Sequence, residues 1–79
     1  MSRLPRLTPK QIIKRLAKEG FIFSRQTGSH IILKCMDSSN PNYGKSIPVP
    51  NHPVVERGVL MSIIRQSGLS KTEFIESLD

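Results

Sequence analysis

The spacing of apolar residues near the start of the chain predicts an amphipathic helix. Thr8 is suited to cap this helix, Pro9 fits its first position, and Gln11 completes a capping box. The predicted buried face is an apolar stripe, Ile12, Ile13, Leu16 and Ala17. Another face carries a lysine at every fourth position, and we call this set the lysine row: Lys10, Lys14 and Lys18.

Two strands joined by a tight turn are predicted after Gly20, which ends the helix. The first strand is Phe21 to Gln26, with Phe21 and Phe23 on one face. Thr27-Gly28 has the composition of a hairpin turn, and the predicted return strand is Ser29 to Met36. Alternation along this strand places one set of residues on one face, Ile31, Leu33 and Cys35, and another set on the opposite face, His30, Ile32 and Lys34.

A polar loop at Asp37 to Gly44 leads to a short third strand, Ser46 to Pro50. Because Pro48 and Pro50 lack an N–H group, this strand is predicted to lie at an edge of the sheet.

Two further helices are predicted in the last part of the chain. Gly58 to Gln66 is the first, with Gly68 as its stop and with an apolar stripe of Val59, Leu60, Ile63 and Ile64. Ser70 and Glu73 then form a second capping box, which begins a short helix with Phe74, Ile75 and Leu78 inward.

The element order predicts a single α+β domain over residues 1–79. Short connections favour a three-stranded antiparallel sheet, and helices from both ends of the chain should cover one of its faces. This is the layout of a double-stranded-RNA-binding domain with an added C-terminal helix. The predicted core is Ile12, Leu16, Phe21, Phe23, Ile31, Leu33, Ile63 and Ile64.

Positive charge is concentrated in the first part of the chain. The net charge is +6, and residues 1–34 hold eight basic residues against one acidic residue. Such a local field attracts polyanions, so we expect nucleic acid or an acidic protein as a partner. Cys35 is the only cysteine, and no apolar run is long enough to span a membrane, so we expect a cytoplasmic protein without membrane contact.

The candidate chemistry centres on His30, which follows the hairpin turn. A neutral imidazole can take the proton of an RNA 2′-hydroxyl. We expect the strand residues next to the first helix to bring His30 close to the lysine row, whose ammonium groups can stabilise the charge that develops on the phosphate. His52 is a possible second proton-transfer group, and we predict no metal site and no cofactor. The predicted RNA-binding residues are Lys10, Lys14, Arg25, Ser29 and Lys34. From the residues alone, an ordinary surface histidine is the better explanation of His30.

Several segments together resemble the HicA, or YcfA-like, toxin family. They are L-T-P-K-Q-I-I-K-R-L at 7–16, R-Q-T-G-S-H at 25–30, I-P-V-P at 47–50 and R-G-V-L-M-S-I-I-R-Q-S-G-L-S at 57–70. The chain has Val59 and Met61 where the family commonly has Thr and Arg, and its loop at 37–45 is longer than usual.

The resemblance implies a toxin that inhibits translation as a metal-independent endoribonuclease, an mRNA interferase. It assigns the required histidine of the G-S-H motif to His30, and it implies a HicB-type antitoxin that covers the active surface. Two alternatives remain open at this point: a non-catalytic RNA-binding module on the same scaffold, and a partner-binding protein without nuclease activity.

Overall fold

The computed structural model describes residues 4–78 and has the predicted element order. Its helices and strands are α1 (Pro9–Ala17), β1 (Phe21–Thr27), β2 (His30–Cys35), β3 (Ser46–Pro50), α2 (Arg57–Ser67) and α3 (Lys71–Glu76). The strands form an antiparallel sheet in the order β1-β2-β3, so β3 lies at an edge as its prolines predict. The α+β fold of double-stranded-RNA-binding type is therefore confirmed.

Both predicted capping boxes are present. The Thr8 hydroxyl accepts from the Gln11 N–H, and the Gln11 side chain accepts from the Thr8 N–H at 2.9 Å. Ser70 and Glu73 make the same reciprocal pair at the start of α3. Each pair satisfies two N–H groups that a helix start leaves without partners inside the helix.

The core lies between the helices and one face of the sheet, which we call the covered face. Its strand residues include Phe21, Leu33, Ile47 and Val49, and all of these are fully buried. From the helices the core takes Ile12, Leu16, Leu60, Ile63, Ile64 and Phe74, and Ile31 packs against it partly buried. We call the opposite face of the sheet the open face.

Three residues predicted to be buried are exposed. Ala17, the last residue of α1, is one of them. Phe23 pairs with Leu33 on the covered face, yet it is 61% exposed, because β1 is an edge strand and only its first residue is buried. Val59 is 37% exposed, since it lies on the outward side of α2. The predictions that Phe23 belongs to the core and that Ala17 and Val59 lie on the buried stripes of their helices were wrong.

Arg15 and an asparagine pair join elements that are distant in sequence. Arg15 is 4% exposed, and its guanidinium donates to the main-chain oxygens of Phe74 at 3.0 Å and Glu73 at 3.2 Å, so it fastens α3 to α1. In the long loop, Asn40 donates to the Glu19 oxygen and Asn42 to the Ser67 oxygen, at 2.9 and 3.1 Å. One loop therefore satisfies carbonyls at the ends of both α1 and α2.

Candidate active site

His30 is the first residue of β2 and lies on the open face of the sheet. It pairs with Thr27 across the hairpin and with Pro50 on β3, and its side chain is exposed. The hairpin loop itself is Gly28-Ser29, one residue later than predicted, and Gly28 adopts a φ of 56° that suits glycine. This tight turn sets His30 at the end of the sheet, where a large substrate can reach it.

His30 lines a shallow groove that lies between β3 and the outward side of α2. Its volume is about 300 Å³, and its walls include Pro48 and Pro50 from β3 and Gly58, Val59 and Ser62 from α2. The helix α2 borders the open face because it packs along β3, the edge strand. The groove is small and open, which suits part of a polymer better than an enclosed cofactor.

A β-bulge brings Arg25 to the face that carries His30. The register of β1 against β2 shifts between Phe23 and Arg25, so that Arg25 pairs with Ile32. Uninterrupted alternation would have put Arg25 on the covered face with Phe23. Lys34 also lies on the open face, where it pairs with Ile22 and Ser46. The structure therefore brings His30, Arg25 and Lys34 to one surface.

The lysine row lies elsewhere. Lys10 and Lys14 line a different groove together with Leu78, and the Lys18 ammonium donates to the Ser77 main-chain oxygen at 2.7 Å. This differs from the expectation that the strands would bring His30 close to these lysines. RNA contact by Lys10 and Lys14 stays a prediction, and in the structure these two lysines lie beside Leu78, in the segment that follows α3.

Ser29 and His52 lie at the same end of the sheet as His30. The Asn51 N–H donates to the Ser29 main-chain oxygen at 2.6 Å, so the segment that carries His52 runs beside the hairpin loop. His52 itself is exposed in the bend after β3. This position is compatible with a proton-transfer role next to His30.

The outward row of α2 was not anticipated from the sequence. Gly58 and Ser62 are one helical turn apart, and Gln66 continues the row, with its amide donating to the Ser62 hydroxyl at 3.2 Å. The sequence did contain a signal for this row. Gly58, Ser62 and Gln66 are absent from the apolar stripe of the helix, and because they are four positions apart they share one outward side.

Two carboxyl groups that lie away from the groove have lowered pKa values. The lowered pKa values of Asp37 and Glu73 come from hydrogen bonds with Ser39 and Ser70, in the long loop and at the start of α3. Within residues 4–78 there is no group of three or more His, Cys, Asp or Glu side chains arranged to hold a metal ion. No helix in that range is long and apolar enough to cross a membrane.

Comparison with models of known protein families shows which family the chain belongs to. A model described as the HicA toxin of bacterial toxin-antitoxin systems matches residues 9–69. The chain belongs to the HicA toxin family. The matched segment of this HicA-family toxin runs from α1 to the residue after Gly68 and includes His30 and the groove, whereas α3 lies beyond it. Membership of a toxin-antitoxin family implies an antitoxin partner. A comparison with curated proteins found no significant match.

Proposed function

We propose that this HicA-family toxin is a metal-independent endoribonuclease that cleaves messenger RNA and thereby slows translation in the cytoplasm, with His30 as its catalytic residue. The observation that carries the proposal is the position of His30: exposed, at the end of the sheet, in a groove that a polymer can enter. A histidine that served only to stabilise the fold would be expected to have packed or hydrogen-bonded surroundings.

The proposed reaction needs one base and one acid. The His30 imidazole accepts the proton of a 2′-hydroxyl, and the 2′-oxygen attacks the adjacent phosphorus. A bond from the 2′-oxygen to phosphorus forms, the bond from phosphorus to the 5′-oxygen breaks, and the leaving oxygen takes a proton. His52 is our candidate donor, because its segment lies beside the hairpin loop that precedes His30.

Cations on the open face support the same proposal. Arg25 and Lys34 lie on the face of His30, where they can attract the phosphates of the substrate and offset the negative charge of the transition state. Ser29 adjoins His30 in the hairpin loop and is our candidate for a hydrogen bond to the RNA backbone.

Cleavage of a labelled RNA in the presence of EDTA tests the proposal. His30→Ala should lower the rate by about 10²–10⁴-fold, because a positioned acid or base typically contributes that much. It should melt like the wild type, since an exposed side chain contributes little to stability. His52→Ala is the matched comparison, with a similar and non-additive loss if His52 is the proton donor.

The products provide a second criterion. Attack by the 2′-oxygen leaves a cyclic phosphate on one fragment and a free 5′-hydroxyl on the other, and a 2′-deoxy substitution at the cleavage site should block it. Cleavage by His30→Ala at near the wild-type rate would show that the catalytic assignment is wrong.

The antitoxin implied by the family is proposed to be an acidic protein of the HicB type. It would bind the open face around His30 and inhibit by covering it. The net charge of +6 favours an acidic partner, and Arg25 and Lys34 place positive charge on the open face.

A further inference from the structure

The groove that holds His30 continues along α2 toward the C-terminal end of the helix. Gln66 lines both this groove and a second depression, whose other walls are Lys45, Ser46 and Arg65. Two cations, one from the loop before β3 and one from α2, therefore flank this end of the path.

A separate depression lies at the N-terminal end of α2. Gly58 lines the groove beside His30, and the preceding residue, Arg57, lines this third depression together with Arg6. Glu56 borders the same depression, so the formal charge at this end is +1 from these three side chains. We call the whole path, through all three depressions, the α2–β3 groove.

The residues that line the α2–β3 groove come from both ends of the helix, from Arg57 to Gln66. Pro50 lies with Gly58 at one end and Ser46 with Arg65 at the other, so α2 is antiparallel to β3. The 11 residues of α2 correspond to about 16 Å. At about 3.4 Å per stacked nucleotide, this length accommodates about five nucleotides of one strand.

The middle of the groove is apolar while its two ends are cationic. The exposed side chains of Pro48 and Val59 form much of the wall around His30, and Pro50 lies buried beside them. Unpaired bases can place their faces against such side chains, whereas a duplex hides its base faces and presents mainly phosphates and ribose hydroxyls. The combination therefore fits a single strand better than a duplex.

We propose that a single strand of RNA lies along the α2–β3 groove, with phosphates held by Lys45 and Arg65 at one end and by Arg6 and Arg57 at the other. This inference rests on the proposed function, because His30 then meets the strand between its two anchors. It assigns the main phosphate contacts to residues outside the lysine row. The lysine row lines another groove and contacts the C-terminal segment.

Binding of a short oligoribonucleotide with 2′-O-methyl riboses tests the path without interference from cleavage. Three double variants each remove two positive charges: Lys45→Ala with Arg65→Ala, Arg6→Ala with Arg57→Ala, and the comparison pair Lys10→Ala with Lys14→Ala. Each groove pair should weaken binding at least about tenfold and flatten the slope against log salt by about 1.4, since each lost contact to a single strand contributes about 0.7. The comparison pair should lose clearly less.

Charge-preserving exchanges separate a binding role from a folding role. Lys45→Arg with Arg65→Lys should bind nearly as well as the wild type, and thermal melting should show that all variants fold. The inference is overturned if the comparison pair loses as much affinity as the groove pairs, or if the wild type does not bind the probe. If the strand binds tightly through the groove but natural RNA is not cleaved, the proposed nuclease function is refuted and the proposed path of the RNA is supported. If both groove pairs bind and cleave like the wild type, the proposed path of the RNA is refuted, while the proposed nuclease function is not.

Discussion

Alanine at position 58 adds one methyl group to the wall of the groove beside His30. Gly58 lies in the first turn of α2, and a Cβ built there meets no protein atom within 4 Å. The substitution therefore occupies space that only a ligand would need. A glycine in a helix interior costs about 1 kcal/mol relative to alanine, and we take about 0.5 kcal/mol for a first turn.

Two opposite effects are expected from Gly58→Ala. Stability should rise by about 0.5 kcal/mol, which corresponds to about 2–4 °C in melting temperature for a domain of this size. Cleavage should fall by about tenfold or more, equivalent to about 1.4 kcal/mol in the transition state, because the methyl group obstructs a strand that approaches the backbone of this turn. Loss of activity in a more stable protein is hard to explain by unfolding.

The assay combines thermal melting with initial rates of cleavage of a labelled RNA. Ser62→Ala is the control, since it changes the same wall one turn later but removes volume instead of adding it. It should retain most of the activity. A Gly58→Ala protein that is more stable and cleaves at the wild-type rate would refute a close approach of RNA to this turn. A less stable protein would refute the helix argument.

Three further predictions concern the C-terminal helix and the partner. Arg15→Ala should lower the free energy of unfolding by about 3 kcal/mol in a urea titration, because it leaves buried carbonyls unpaired and removes the stacking over Phe74, and a loss below about 1 kcal/mol would contradict this. Hydrogen bonds with Ser70 hold the pKa of the Glu73 carboxyl below its ordinary value. The cap therefore contributes its full stabilisation above the ordinary pKa of a glutamate, and this stabilisation is lost as the pH falls through the lowered pKa of the folded protein. The melting temperatures of the wild type and Glu73→Gln should thus converge in acid, and a constant gap would count against the argument. Bound antitoxin should protect the amides around His30 from hydrogen exchange, whereas protection limited to α3 would exclude occlusion.

Local signals predicted the helices and strands well. The capping boxes at Thr8 and Ser70 each join residues three positions apart, and both occur in the structure. The edge position of β3 follows from two prolines within one strand. Such features depend on near neighbours in the chain, so their physical causes can be read directly from the residues.

The candidate site was only partly predictable. The G-S-H motif and the alternation of β2 identify His30 and its exposed face, and the exposure of His30 agrees with both. The lysine row was predicted to adjoin His30, but Lys10 and Lys14 line a different groove. A helical period shows which lysines share a face, but it does not show what that face packs against. The segment after α3, Ser77 and Leu78, lies beside Lys10 and Lys18 and supplies the missing information.

The sequence was sufficient for the kind and order of the elements and for the family, because both depend on short-range patterns. The catalytic role of His30 stays a prediction. Three features required the folded chain: the bulge that turns Arg25 to the open face, the burial of Arg15 against α3, and the alignment of α2 with β3. Arg15 and Phe74 are 59 positions apart, and no local preference of either residue anticipates their contact. Long-range packing fixes which surfaces meet, and here it decides which cations lie beside the groove that holds His30.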